Sequence, residues 1–298
     1  MKDIAIIGGG PAGLSAALYA KWIGLDTVLF SAVPGGTLLE IPIIKNYPGF
    51  SGKGEELANK MVNQVKELGV EIIMEDCDKV EKTESGFLVH GLMTDVEARA
   101  IVFATGSNKR RLNVPGENLR GVSYCATCDA PFAKGKRVAV IGGGNSAFIE
   151  AIHLSEFADE VYIVHRRDTF RADQSLIDEA IQKGIKFLKN KRVKQILGEK
   201  EVEGIEFQDG ERFDAQFVLI AIGLNPASEI AAQDLGVKTD ERGFIIVDRE
   251  TMATNVEGVY AAGDVTNMWP KQVVVATAQG AVAALSARDY INAHRKKA

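Results

Sequence analysis

Asp3-Ile4-Ala5-Ile6-Ile7-Gly8-Gly9-Gly10-Pro11-Ala12-Gly13 reads as a short apolar strand that runs into a glycine turn and leaves it as a helix. Each glycine has a distinct part to play. Gly8 allows the tight turn, Gly10 lets the backbone approach a pyrophosphate, and Gly13 lets the helix pack on the strand. The helix N-terminus then faces the negative charge. A helix is expected from Pro11 to about Trp22, with the small residues Ala12, Ala16, Ala17 and Ala20 where it must press on a sheet. Residues 27–30 read as the second strand, completing the opening of a Rossmann-type unit. That strand ends Leu29-Phe30-Ser31 with no acid to hold ribose hydroxyls, so Ser31 or the nearby loop backbone is expected to substitute.

The pattern restarts in mid-chain. Residues 137–141 read as a strand, Gly142-Gly143-Gly144-Asn145-Ser146-Ala147 as a second glycine turn, 146–157 as a helix and 161–164 as a strand. This strand leads into a different run from the first: His165-Arg166-Arg167, then Arg171. An acid there would read the ribose diol of NAD, whereas arginines bind the 2'-phosphate of NADP through charge-assisted hydrogen bonds. A pair of arginines is ordinarily a solvated loop, but the position relative to the glycine turn favours phosphate. Further strands are expected at 70–74, 87–90, 100–104, 204–207, 217–220 and 258–264, with helices at 55–68 and 273–291. Residues 35–54 read as a long loop with turns at Pro48-Gly49 and Ser51-Gly52. A tandem layout would leave the last stretch of chain without a domain. The expected architecture is therefore α/β, two Rossmann-like three-layer dinucleotide-binding domains, with the second inserted into the first. Residues 1–108 and 224–298 form the outer domain and 109–223 the inserted one, a double connection that permits hinge rotation.

Between the two turns lies Cys125-Ala126-Thr127-Cys128-Asp129. A zinc half-site would need two more ligands, and neither Cys77 nor a local His offers a matching pair. A structural bridge over so short a span would gain little in a reducing compartment. A redox-active disulfide fits best, with Asp129 placed to serve the leaving sulfur as proton donor. Cys77 reads as a bystander, and His90, His153 and His294 as structural. Trp269 and Pro270 belong to a flavin-side loop or to packing. Three cysteines in 298 residues are too few for a secreted disulfide scaffold, so an internal compartment is expected. The apolar N-terminus has Asp3 and a glycine turn where a signal peptide needs a basic start and an unbroken run. No apolar run approaches the ~18 residues of a membrane helix, so the chain reads as cytoplasmic. A net charge of -5, with no basic tract beyond the tail Arg295-Lys296-Lys297, argues against nucleic acid as a partner. That tail reads as a solvated terminus.

Taken together these motifs resemble the low-molecular-weight thioredoxin reductases. The resemblance rests on Gly8 to Gly13, Asn46-Tyr47-Pro48-Gly49, Ala104-Thr105-Gly106, Cys125 to Asp129, Gly142 to Ala147, His165-Arg166-Arg167 and Ala262-Gly263-Asp264, in the family's order across nearly the whole chain. It implies an FAD site made by Gly8, Gly10, Pro11, Ala12, Gly13, Gly35, Gly36, Thr37, Leu38, Asn46, Ala104, Thr105, Gly106, Gly263, Asp264, Lys271, Gln272 and Val273. In it Asp264 bonds the ribitol chain, Gln272 and Val273 lie beside the isoalloxazine, and the final helix points its N-terminus at the reduced flavin. It implies an NADPH site made by Gly142, Gly144, Asn145, Ser146, Ala147, His165, Arg166, Arg167, Arg171, Ile222 and Gly223. Electrons would pass from NADPH to FAD, to the Cys125–Cys128 disulfide, and on to thioredoxin or a glutaredoxin-like dithiol protein, with the inserted domain swinging between two positions. A homodimer formed through the FAD domains is implied as well. Two departures touch local flavin contacts: Gly35-Gly36-Thr37-Leu38 where the family usually has Gly-Gly-Gln-Leu, and Lys271-Gln272-Val273 where it usually has Arg-Gln-Ala.

Four rival readings share parts of this pattern. A ferredoxin-dependent relative is expected to lose the second turn or its arginines. The flavoprotein of a peroxide-reducing system is expected to carry an extra N-terminal region before the first strand. An oxygen-dependent dithiol oxidase would not need the run from His165 to Arg171. A non-catalytic redox sensor would need neither both dinucleotide turns nor an adjacent acid.

Overall fold

The structure, a computed structural model, describes residues 1–41 and 43–295; Lys296 and Lys297 of the basic tail lie outside the described residues. In chain order the first stretch carries β1 (Lys2–Ile7), α1 (Pro11–Trp22), β2 (Thr27–Phe30), β3 (Ile44–Tyr47), β4 (Phe50–Gly52), α2 (Gly54–Glu67), β5 (Glu71–Ile73), β6 (Cys77–Lys82), β7 (Phe87–Gly91), β8 (Asp95–Phe103) and β9 (Ser107–Lys109). The middle carries β10 (Val122–Ser123), α3 (Ala126–Asp129), β11 (Arg137–Gly142), α4 (Asn145–Leu154), β12 (Glu160–Val164), α5 (Gln174–Gln182), β13 (Lys186–Leu188), β14 (Val193–Leu197), β15 (Gly204–Phe207), β16 (Arg212–Asp214), β17 (Phe217–Ala221) and β18 (Leu224–Pro226). The last stretch adds α6 (Glu229–Leu235), β19 (Val259–Ala261) and α7 (Val273–Arg295). The chain divides into two units, one made of Met1–Asn108 with Asn225–Ala298 and the other of Lys109–Leu224.

In the first unit the sheet order is β5-β2-β1-β8-β7-β6, with β19 also on β8. β1 is parallel to both neighbours, Ile4 opposite Thr27 and Ala100 and Ile7 opposite Phe30 and Phe103. A strand so enclosed must be apolar throughout, which is why Ile4 to Ile7 are all buried. β8 serves two sheets in one strand. Its first half pairs antiparallel with β7, and its second half runs parallel to β1 and β19. α1 packs on this sheet and on α7. A Cβ at Gly280 of α7 would lie 2.1 Å from the Ala12 carbonyl oxygen, so the two helices approach to backbone contact. Burying side chains such as Leu29, Phe30, Ile101 and Phe103 stabilises the unit by about 1.5–3 kcal/mol each. Gly280→Val would force α1 and α7 apart.

In the second unit a five-stranded parallel sheet, β10-β17-β11-β12-β13, stands beside an antiparallel meander, β14-β15-β16. α4 and α5 cover one face of the parallel sheet through Phe148, Ala151, Leu154 and Ala180. The meander closes the other through Ile196, Ile205 and Phe207.

Residues 35–54 are more ordered than the loop expected from their glycines and prolines. Gly36–Glu40 is a 3-10 turn, and β3 and β4 form a hairpin about Pro48-Gly49. Ser51-Gly52 therefore lies in strand β4 and is no turn; a Cβ on Gly52 would press on Glu56 Oε2 at 2.7 Å. The helix expected to reach Phe157 stops at Leu154, where Ser155 caps it. The expected strand 258–264 is split, β19 giving way to a 3-10 turn at Gly263–Val265. Among the described residues no helix is long and apolar enough to cross a membrane.

Candidate active site

The first glycine turn is built as its sequence requires. Gly8 has φ +105, and a Cβ there would lie 2.4 Å from the Ala104 carbonyl oxygen. A Cβ at Gly13 would lie 1.8 Å from the Gly8 carbonyl oxygen. At Gly10 it would meet nothing within 4 Å. Two glycines thus serve the protein's own packing, and the middle one keeps a space open. α1 has no side-chain cap on Gly10 and no acid in its first turn, so its leading N–H groups are unclaimed by side chains. These observations fit a bound diphosphate.

Other residues expected at this site converge on the same turn. The Gly35 N–H donates to Gly9 O at 2.7 Å, and a Cβ on Gly36 would lie 3.0 Å from the Gly10 Cα. Gly263, beside Asp264, stands so close to α1 that its Cβ would lie 2.8 Å from that of Ala12. Thr105 Oγ1 donates to Ala227 O at 2.5 Å, fixing the Ala104-Thr105-Gly106 run. Asn46 and Gln272 meet directly, Nδ2 to Oε1 at 3.0 Å. Leu38 is fully buried and packs with Ile44, Leu57, Ala58 and Val273, so both Leu38 and Val273 support the site from behind through the core. Thr37 is exposed. Lys271 is turned inward: Nζ donates to Thr266 O and stands 4.5 Å from the centre of the Phe244 ring. Burial pushes its ammonium down to about 8. Ser31, the stand-in for a ribose acid, is 5% exposed, and a Cβ on Gly9 would touch its Oγ at 2.4 Å.

The second turn repeats the device. A Cβ at Gly142 would lie 2.5 Å from Ala221 O and 2.6 Å from the Ala147 Cβ, whereas one at Gly144 would meet nothing within 4 Å. Here too α4 begins without a side-chain cap or an acid in its first turn. The loop after β12 is stitched to the turn, because the Arg171 N–H donates to Gly143 O at 2.8 Å. Asn145 bonds Asp173 twice, Nδ2 to Oδ2 at 2.7 Å and the Asp173 N–H to Oδ1 at 2.9 Å. His165 lies across the turn, where a Cβ on Gly143 would meet its Nδ1 at 2.3 Å; burial lowers its pKa and keeps the ring neutral. Arg166, Arg167 and Arg171 are exposed, and among the described residues none of their side chains has an acid or acceptor partner. Ser146 is exposed at the head of α4, Ile222 packs against the meander core, and Gly223 takes φ +109 and receives the Arg110 N–H on its carbonyl. Three unpaired guanidinium groups beside an open helix N-terminus fit a ligand with several phosphates.

Cys125 and Cys128 are joined as a disulfide with Cα atoms 5.3 Å apart. Cys125 is the N-cap of α3, its Sγ accepting the Cys128 N–H at 3.2 Å. Cys125 is half-buried and Cys128 exposed. Asp129 Oδ2 accepts the Ser123 hydroxyl at 2.6 Å, and the same hydroxyl oxygen accepts the Cys125 N–H at 3.1 Å. Pro131 and Phe132 are both exposed. Cys77 is buried in the first unit, burial pushing its thiol up to about 12.

Comparison with known proteins decides the family. A model described as pyridine nucleotide-disulphide oxidoreductase matches residues 2–280. The chain belongs to the pyridine nucleotide-disulphide oxidoreductase family. It is 40% identical to a thioredoxin reductase of Listeria monocytogenes, covering 97% of this chain and 93% of that protein. It is 39% identical to one of Bacillus subtilis, covering 97% and 94%. Among solved structures it resembles thioredoxin reductase from Streptococcus pyogenes, with TM-score 0.90 and 37% identity over 98% of this chain and 99% of that one. It also resembles the enzyme from Giardia duodenalis, with TM-score 0.92 and 33% identity over 98% and 99%. As a member of this oxidoreductase family, the protein is an enzyme of flavin and pyridine nucleotide chemistry.

Three contributors to this oxidoreductase site escaped the sequence reading. Ser123 ties Asp129 to the Cys125 backbone; a hydroxyl two residues before the first cysteine was its only trace. Gln279, a buried polar residue of α7, accepts the Gly263 N–H at 2.8 Å. Glu117 receives the Tyr124 hydroxyl and the Leu112 and Asn113 N–H groups, fixing the segment that precedes Cys125. Burial and the Glu117 carboxylate raise the Tyr124 hydroxyl far above its usual range, so it stays a donor.

Proposed function

We propose that this protein is an NADPH-dependent thioredoxin-disulfide reductase that uses FAD. The observation that carries the reading is the company kept by the Cys125–Cys128 disulfide: it belongs to the same unit as the second glycine turn and its three unpaired arginines. FAD, when bound, supplies the two-electron relay between a nicotinamide and the disulfide. The first glycine turn, with Gly35-Gly36 and Gly263-Asp264 beside it, holds the FAD diphosphate on the α1 N-terminus. Arg166, Arg167 and Arg171 hold the 2'-phosphate that separates NADPH from NADH. Two electrons and two protons convert the disulfide to a dithiol, and Asp129, oriented by Ser123, holds a proton within reach of the leaving sulfur. A thiolate of this pair then attacks one sulfur of the partner's disulfide, and the second thiolate of the pair breaks the mixed disulfide. The partner leaves as a dithiol and Cys125–Cys128 is restored.

The test is anaerobic titration of the purified protein with NADPH and with NADH, followed by an oxidised thioredoxin, recording the flavin spectrum. Bleaching that is faster with NADPH and recovers on adding thioredoxin is expected. A flavin left oxidised by NADPH but bleached by reduced ferredoxin would sink the nucleotide assignment. Recovery with a glutaredoxin-like protein but not with thioredoxin would reassign the partner alone.

A further inference from the structure

Lys271 stands where three segments of the first unit meet. Its Nζ donates to Thr266 O and lies over the Phe244 ring. Thr266 is fully buried; its N–H and hydroxyl both donate to Gly263 O, at 3.1 and 2.8 Å, and it bridges to Ile245. Phe244 is held from its own side by Asp240, whose Oδ1 accepts the Phe244 N–H at 2.9 Å. One ammonium therefore joins the Gly263–Val265 turn, the 240–245 loop and the residue that leads into α7. The next residue is Gln272, whose carbonyl accepts the Ala276 N–H as α7 begins and whose side chain takes Asn46.

We propose that Lys271 is a positioning residue for the flavin edge: its ammonium latches the 263–272 turn, holding Gln272 against Asn46 and fixing the head of α7. This rests on reading that edge as the isoalloxazine side of an FAD site. The charged groups that face the ammonium are Asp264 from the turn and Asp240 from the loop; both favour the charged form, and burial opposes them more strongly. The latch is therefore charged below pH about 8. As pH rises through that value the charge-assisted bond to Thr266 O and the attraction to the Phe244 ring are lost. FAD retention falls in the same range. The fold moves the opposite way: an unfolded lysine keeps its proton to about 10.5, so between about 8 and 10.5 this group makes the folded chain more stable as pH rises. Flavin loss in that window is not unfolding.

The experiment compares the FAD-loaded full-length protein with Lys271→Met and Lys271→Arg. FAD release on dilution is followed by flavin fluorescence across the pH range, and amide hydrogen exchange is measured over residues 263–272. The wild type is expected to bind FAD about tenfold more weakly at about pH 9 than at about pH 7, the loss of one charge-assisted hydrogen bond. Lys271→Met is expected to bind weakly at every pH with faster exchange in the turn. Lys271→Arg, which stays charged, is expected to bind tightly with a flat profile. Lys271→Gln replaces the methionine variant if that one does not fold, with the same weak, flat profile expected. A neutral variant that retains FAD like the wild type, with the same pH profile, overturns the latch even if exchange in the turn quickens. A protein that takes up no FAD in any form overturns the flavin reading and the latch together.

Discussion

The two glycine turns are one backbone device used twice, and their differences show which part of the device chooses the ligand. In each, the outer glycines are required by the protein's own atoms: Gly8 and Gly13 by Ala104 and by each other, Gly142 by Ala221 and Ala147. In each, the middle glycine, Gly10 or Gly144, faces open space. The divergence begins one strand later. β2 ends in a buried serine pressed on Gly9, while β12 ends in a buried, neutral histidine followed by free arginines. The helices diverge as well. Six residues past the cap, α1 has Ala16, fully buried against α7, whereas α4 has Glu150, whose Oε2 is sealed from solvent and has no hydrogen-bond partner among the described residues.

The sharpest test of the division of labour concerns the disulfide that only the second unit carries. Cys128→Ser is expected to cut thioredoxin turnover on the order of a thousandfold or more, while NADPH still bleaches the flavin. Loss of bleaching in this variant would show that the two half-reactions are not separable. Within the turns, Gly13→Ala and Gly10→Ala should part company. The first forces a backbone clash and is expected to lower stability by roughly 1–3 kcal/mol. The second is expected to leave thermal unfolding of the apoprotein unchanged and abolish FAD binding; a folded Gly10→Ala protein that keeps its flavin would break the equivalence of the two turns. On the arginine side, Arg166→Ala and Arg167→Ala are each expected to raise KM for NADPH roughly ten- to a hundredfold and leave NADH almost untouched. Equal losses for both nucleotides would place the 2'-phosphate elsewhere. The smallest effect belongs to Glu150, whose carboxyl burial pushes up to about 7 against the opposing pull of Lys109. A carboxyl raised in the folded state adds stability below its unfolded value near 4.5 and loses it as pH climbs to about 7. Glu150→Gln is expected to flatten that slope in thermal unfolding between pH about 5 and about 8, a change of a few degrees at most. An unchanged slope would show that another group sets it.

The turns were legible because their requirements are local: strand, glycines and helix lie within a dozen residues, and the arginines come at a fixed distance after them. The adjacency of Cys125 and Cys128 was legible for the same reason. What the sequence hid was set by distant partners. Asn46 and Gln272 are 226 positions apart, and neither residue type announces the other. Leu38 and Val273 were read as cofactor contacts, yet their burial together depends on α2. The hairpin of β3 and β4 was masked by its glycines, which mark turns far more often than strands. β6, with Cys77 and Val80 buried among four exposed residues, has no alternation to recognise; it is a strand because β7 pairs with it. Ser123 shows the limit most plainly, since a buried serine gains its role only when Asp129 folds back to receive it.

The discontinuity of the first unit sets a timetable for synthesis. The second unit is a continuous stretch, Lys109–Leu224, and has all its own strands once that stretch has left the ribosome. The first unit has made β1 and α1 long before, but the faces of α1 that bear on Gly280, Ala283 and Ala284 have no cover until α7 emerges. The earliest residues of the chain thus wait for the latest, and the inserted unit matures while they wait. Because Gly263 and Gln272 also arrive late, the nascent chain cannot hold its flavin until synthesis is nearly complete. Cofactor capture then marks the end of assembly, and a truncated product lacking α7 would be both colourless and exposed to proteases.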